Sequence, residues 1–229
     1  MIRFIQGERI PLSEDSFINT STAQFYDEHA RRFMGSVYRR FAVKAAGIKT
    51  PGKRVLDLGT GSGRLAIELA KARPDWFITG SDISEEMLKI ARTNASQAAL
   101  TDRIDFHQTP AESLLFTDGC FDLVVSNSSL HLWSDPIKVF NEIARVTMPG
   151  RYCLIWDNMR CNILNPFLNL LGYAMGMSSS QRRLWLQAIR SSYTIGEVKA
   201  LLRESDLKDA RAKIEPRFLE ISIQWKKPV

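Results

Sequence analysis

Between Lys53 and Trp156 the chain alternates short apolar runs with longer amphipathic ones, and this order constrains the fold more than any other feature. The runs predict strands at Lys53–Leu58, Trp76–Ser81, Ile104–His107, Phe121–Ser126 and Tyr152–Trp156. Helices are expected at Gly63–Ala72, Glu85–Ala95 and Pro136–Val146. Strands joined through helices cannot pair as tight hairpins, so the sheet they form is parallel. Phe121–Ser126 is apolar on both faces, as a central strand covered by helices on each side must be. Ser84 is placed to cap the helix that opens with Glu85 and Glu86, and Asp135 caps the one that opens with Pro136. Pro149-Gly150 reads as the turn into the next strand.

The flanks differ. Ser21 to about Ala46 has Phe25, Phe33, Val37 and Phe41 at near-helical spacing and ends at Thr50-Pro51-Gly52. Residues 160–192 read as two helices, the first very apolar. Thr194-Ile195-Gly196-Glu197 is a capping box that opens a helix to about Arg203. Two closing strands around Ala210–Ile214 and Phe218–Trp225, with no helix between them, pair as an antiparallel hairpin at the sheet edge. The fold expected is α/β: a Rossmann-like, seven-stranded, mostly parallel sheet with helices on both faces. It forms one domain over 1–229, divided into an N-terminal helical cover (1–50), a core (51–157), a helical lid insertion (158–193) and a closing helix and hairpin (194–229).

At 229 residues the chain is long enough for one well-buried core. Charged residues are scattered from Met1 to Asp15, which argues against a signal peptide. The longest apolar stretch, Ile163–Met177, is broken by Asn165, Pro166 and Asn169 and falls short of the ~18–20 residues a membrane span requires. Cys120, Cys153 and Cys161 are odd in number and lack CxxC spacing. No disulfide framework and no metal site is expected, and the cytoplasm is the expected location. The net charge of +6 suits a solvated surface.

The most informative segment is Val55-Leu-Asp-Leu-Gly-Thr-Gly-Ser-Gly-Arg-Leu65: an apolar strand running into Gly59, Gly61 and Gly63 just before a helix. A dinucleotide fingerprint would place its third glycine where Arg64 stands. Asp57, two residues before Gly59, suits the ammonium of an amino-acid moiety better than a pyrophosphate. Asp82, at the end of the second strand, is placed to accept both hydroxyls of a ribose.

With these residues in place the chain resembles the class I S-adenosylmethionine-dependent methyltransferases, especially their small-molecule, ubiquinone-biosynthesis-like branch. The resemblance covers about Val55 to Trp156. It implies S-adenosyl-L-methionine as cofactor, with Asp57, Gly59, Thr60, Gly61 and Gly63 at its methionine part and Asp82 at its ribose. Ile83 and Met87 would flank the adenine, and Gln108-Thr109-Pro110-Ala111-Glu112 would form the adenine loop. The family often carries aspartate where Pro110 stands, so backbone groups of Ala111 or Glu112 would compensate. Arg151 replaces a glycine usual after the Pro-Gly turn. Asp118–Asp122, and Asn127 at the end of the fourth strand, also match.

Methyl transfer from a sulfonium needs proximity, orientation and dry surroundings, and a base only if the acceptor must lose a proton. Asn127–Trp133 is expected beside the reacting methyl, which makes His131 a candidate base or acceptor-positioning residue; the alternative is a histidine packed on the following helix. Tyr26 is expected either to reach the methionine carboxylate or to fill the core, while His107 is structural and His29 lies on the opening helix. The apolar lid suits a small apolar or aromatic acceptor, or equally a homodimer interface.

Other readings compete. Arg31, Arg32, Arg39, Arg40 and Lys44 could engage phosphates in an RNA or protein methyltransferase, but neither an Asn/Asp-Pro-Pro-aromatic motif nor a Pro-Cys nucleophile is present. A non-catalytic scaffold that binds the cofactor is the alternative of another class. An NAD-dependent oxidoreductase fits least.

Overall fold

The computed structural model describes residues 8–12, 20–50, 52–161, 164–215 and 220–229. Most of the charged N-terminal stretch, Pro51 of the expected turn, Ile163 and the expected strand start at Phe218 lie outside these. The strands are β1 (Arg54–Leu58), β2 (Phe77–Asp82), β3 (Ile104–Gln108), β4 (Phe121–Asn127), β5 (Thr147–Asn158), β6 (Arg211–Glu215) and β7 (Glu220–Lys226). They form a seven-stranded sheet in the order β3-β2-β1-β4-β5-β7-β6. β1 to β5 are parallel, and β7 runs antiparallel between β5 and the edge strand β6.

Alternation along the central strands loads both faces of the sheet. Val55, Leu123, Val125, Leu154 and Trp156 face one core, with Phe41 and Trp76. Leu56, Leu58, Val124, Cys153 and Ile155 face the other, with Phe140, Ile143 and Trp225. Each large side chain buried this way contributes about 1.5–3 kcal/mol. Asp57 shares the face of Val55, and Asp157 that of Cys153 and Ile155, so this alternation buries two carboxylates on opposite faces.

The first face is covered by α1 (Thr20–His29), α2 (Gly35–Ala46), α3 (Arg64–Ala72) and α4 (Glu85–Gln97), the second by α5 (Pro136–Val146) and α8 (Ile195–Arg203). The opening helix is not continuous: Ala30–Met34 is a π-helical segment between α1 and α2. The expected caps are present, with Ser84, Asp135 and Thr194 accepting from the backbone N–H groups of Met87, Lys138 and Glu197.

β5 begins earlier than its apolar run. Thr147 pairs with Phe121, and the register shifts before Tyr152 pairs with Leu123. Pro149-Gly150 thus lies within a strand, where Gly150 donates to the carbonyl of Lys227. Arg151 donates to Asp122, whose other carboxylate oxygen accepts from the backbone of Lys53 and Arg54. The departure at Arg151 therefore helps tie β1 to β4. The apolar insertion forms α6 (Asn165–Ala174) and α7 (Ser179–Ser191).

Candidate cofactor and acceptor site

The strand order reverses between β1 and β4, and the carboxyl ends of the strands open there into a cleft enclosing about 90 Å³. The turn after β1 is lashed to β2, because the N–H groups of Gly59 and Thr60 both donate to the Ser81 carbonyl, at 2.8 and 2.9 Å. Gly59 must lack a side chain, since a Cβ would lie 2.3 Å from Ser129 Oγ. Gly63 enters α3 with φ +74°, where a Cβ would meet Ala91 and Phe106 at about 3 Å.

Asp82 joins the two walls of the cleft. One oxygen accepts from Gly61 N (2.8 Å) and the other from Ser84 N (2.9 Å). Burial raises its carboxyl above the usual value, while the N–H groups of Ser84, Gly61 and Ile83 oppose the rise. Beside it the Ser81 hydroxyl is buried, lines the floor and has no hydrogen-bond partner among the described residues. Ile83, Met87 and Ala111 give one end of the cleft an apolar slot.

Tyr26 closes the cleft from α1, its ring 3.7 Å from where a Cβ on Gly61 would stand. Burial pushes its phenol up to about 12, opposed by a hydrogen bond from Tyr38. Tyr26 thus stays protonated at neutral pH and can act as a donor. α1 is clamped there by a two-pronged pair between Arg64 and Asp27 (2.7 and 2.8 Å), and Asn94 bridges Asp27 and the Ser62 carbonyl. Burial opposes ionisation of Asp27, but Arg64, Ser62 and Asn94 together hold its carboxyl below the usual value.

Asp57 lies beneath the glycine turn and does not line the cleft. It accepts from Thr60 Oγ1 (2.7 Å), and the backbone N–H of Ala66 in α3 favours its charged form. Burial pushes its carboxyl up to about 7, with the Asp82 charge adding to the rise and the two donors opposing it. The folded protein therefore holds a proton that the unfolded chain releases near 3.8. The stability this gives is fully present below the unfolded value and is lost as pH rises through about 7. Asp57→Asn cannot ionise yet keeps an acceptor. Its melting temperature is expected to gain a few degrees on the wild type between about pH 5 and about pH 8. Parallel melting curves across that range would show that Asp57 does not titrate this way.

At the other end of the cleft, β4 leads through Ser128 (φ +59°) and Ser129 into a 3₁₀ turn, Leu130–Leu132. Ser128, Ser129, Leu132 and Trp133 line the cleft. His131 is buried on the sheet face that carries Asp157. Its Nδ1 lies 2.8 Å from Asp157 Oδ1, and its backbone N–H donates to Oδ2 at 3.1 Å. A carboxylate only accepts, so the proton on Nδ1 is assigned to the contact with Asp157. Arg9 donates to the His131 carbonyl and to that of Ser191, and its guanidinium lies over Tyr193.

A family profile described as a methyltransferase domain matches residues 49–201, well over half of the chain. The chain belongs to the S-adenosylmethionine-dependent methyltransferase family. It is similar to a ubiquinone/menaquinone biosynthesis C-methyltransferase, UbiE, of Bdellovibrio bacteriovorus, at 35% identity over 56% of this chain and 53% of that one. It also resembles the 27-O-demethylrifamycin SV methyltransferase of Amycolatopsis mediterranei, at 31% identity over 77% and 59%. The chain thus spans about half the length of the first of these relatives. Among solved structures, a methyltransferase from Aquifex aeolicus superposes with a TM-score of 0.65 (19% identity, 91% and 98% covered). The plantazolicin methyltransferase BpumL, in complex with SAH, does so with 0.74 (16% identity, 93% of each chain covered). These two likenesses show the shared fold.

The methyltransferase site draws together only part of what the sequence suggests. Gly59, Gly61, Asp82, Ile83, Met87, Ala111 and Tyr26 line the cleft. Asp57, Thr60 and Gly63 lie outside its lining and support the turn from below. Pro110 points to solvent, Glu112 accepts from Ser134, and Asn127 donates to Ser128. His107 pairs with Asp105 on the exposed strand β3, and His29 is buried with no partner for Nδ1 among the described residues. Thr109 of the expected adenine loop also lines the cleft. Ser81 and Asp157 are not among the expected site residues, and a lone acid at the end of an otherwise apolar strand is the signal that could have found Asp157. The donor set fits S-adenosylmethionine: an acid for vicinal hydroxyls, an orphaned hydroxyl on the floor, an apolar slot for a base and a protonated phenol for a carboxylate. Among the described residues, none of α6 or α7 lines the cleft, although α7 packs against the 3₁₀ turn.

Proposed function

We propose that this methyltransferase acts on a small apolar or aromatic acceptor held at the Leu132–Trp133 end of the cleft. The observation that carries the reading is the Asp82 bridge between Gly61 and Ser84 beside the unpartnered Ser81 hydroxyl, a polar floor facing an apolar acceptor end. When bound, S-adenosylmethionine supplies a methyl group already activated on a sulfonium. Asp82 holds the ribose hydroxyls, Tyr26 donates to the methionine carboxylate, and Ile83, Met87 and Ala111 enclose the adenine. Asp57 and Thr60 act through the turn, keeping the bare backbone of Gly59 and Gly61 toward the ligand. Leu132 and Trp133 orient the acceptor and exclude water. Where the acceptor must lose a proton, Nε2 of His131 takes it, and Asp157 steadies the imidazolium through Nδ1.

Arg40 and Lys44 form ion pairs with Glu220 and Glu215, which removes two of the five opening cations from any phosphate-binding surface. This weighs against the RNA reading. Free Cys120, Cys153 and Cys161 support a reducing compartment. The test is transfer of labelled methyl from S-adenosylmethionine into a cell extract. Label in the small-molecule or lipid fraction is the expected outcome; label confined to RNA or protein would overturn the acceptor class.

A further inference from the structure

From Asn158 to Gly196 the sequence contains no aspartate or glutamate, yet it holds Arg160, Arg182, Arg183 and Arg190. This acid-free stretch carries α6 and α7. α6 packs inward through Leu168 and Gly172; a Cβ on Gly172 would lie 3.0 Å from the Arg182 stem. Its opposite face carries Phe167, Leu170, Leu171 and Ala174 at helical spacing. Phe167 and Leu170 are 61% and 65% exposed, and Tyr173 beside them 70%.

Cations border this face. The Arg182 guanidinium lies over the Tyr173 ring, and that of Arg32 approaches the α6–α7 turn, 3.4 Å from where a Cβ on Gly176 would stand. Arg183 and Arg190 are exposed on α7. None of these four has a carboxylate within ion-pair distance among the described residues. An apolar stripe with a cationic border and no acid complements a surface of anionic headgroups over acyl chains. A second copy of this chain would set arginine against arginine.

We propose that α6 is an interfacial docking helix whose Phe167–Leu170–Leu171 face lies on an anionic lipid bilayer. It rests on the membrane without crossing it: α6 has 10 residues, and no helix among the described residues is long and apolar enough to span. α7 packs between α6 and the 3₁₀ turn, so docking brings the Leu132–Trp133 end of the cleft toward the bilayer. A lipid-dissolved acceptor would then have a short path to it. That last consequence rests on the methyl-transfer reading; the docking does not.

The experiment is co-sedimentation of the full chain with vesicles of phosphatidylglycerol and phosphatidylcholine (about 3:7) against pure phosphatidylcholine, in low and high salt. Binding to the anionic vesicles is expected, weaker by about tenfold or more on neutral vesicles or in high salt. The double variant Leu170→Asp/Leu171→Asp should lose binding by a similar factor, while its melting temperature and its affinity for S-adenosylhomocysteine stay as in the wild type. Arg183→Glu/Arg190→Glu should lose the preference for anionic lipid. Equal sedimentation of the wild type and the Leu170/Leu171 variant, or no binding to either vesicle, overturns the proposal. So does a concentration-dependent dimer that the same variant dissolves, which would assign the face to a second copy. Because the readout needs no turnover, a failed label transfer with intact vesicle binding would remove only the activity reading.

Discussion

Asp82→Ala is expected to weaken binding of S-adenosylhomocysteine by about 100-fold, measured by calorimetry, with the ligand-free protein still folded but melting several degrees lower. The carboxylate does two things at once. It is placed for the ribose, and it holds Gly61 N–H and Ser84 N–H in the positions that shape the cleft. Hydrogen bonds to a charged group contribute about 1.5–3 kcal/mol each, and losing the ribose contacts alone accounts for a factor of ten or more. Asp82→Asn should fall between the two proteins, because an amide keeps one acceptor but turns its NH₂ toward a backbone donor. Unchanged affinity in the alanine variant would mean that the ribose sits elsewhere.

His131→Ala should lower turnover by about 10²–10⁴ on an acceptor that loses a proton, with affinity for S-adenosylhomocysteine kept within about threefold. Asp157→Asn should do nearly as much without removing the imidazole. His131 is buried and lies outside the cleft lining, between Ser129 and Leu132, which belong to it. An amide at position 157 can donate to Nδ1, which would put the proton on Nε2 and remove the lone pair that the proposed role needs. The pH profile separates this role from packing: both variants should lose the acid limb of kcat, while a purely structural histidine would lower stability and leave the profile's shape alone. Equal losses in turnover and cofactor affinity would take His131 out of the reaction. Asp157 also accepts the His131 backbone N–H, so the melting temperature of Asp157→Asn must be followed alongside.

The strand order and the glycine turn were legible because they are local. The run from Val55 to Leu65 encodes its own strand, turn and helix start, and Asp82 sits at a strand end that any α/β reading marks as a ligand position. The same locality misleads at Asp57. The residue belongs to the turn, but strand alternation turns its carboxylate into the core, and only the packed sheet reveals that Thr60 and Ala66 claim it. Asp157 lies 26 residues from its partner His131 and falls just beyond the expected strand Tyr152–Trp156, and nothing nearby in sequence signals the pairing. The π segment at Ala30–Met34 leaves no mark on a pattern of apolar spacing that still reads as helical. The insertion was legible as two helices but not in its direction. Periodicity gives an apolar stripe, and only the fold shows that α6 turns it outward.

The seam between β1 and β4 joins the two halves of the parallel sheet, and its paired residues, such as Val55 and Leu123, are far apart along the chain. Tyr26, Gly61 and Asp82 stand on one side of that seam, Ser128 and Trp133 on the other. A ligand spanning it therefore reports on completed folding. A nascent chain that stops before β4 has half a cradle and nothing to close it, and in the finished protein each occupied cleft staples together two segments that are distant in sequence.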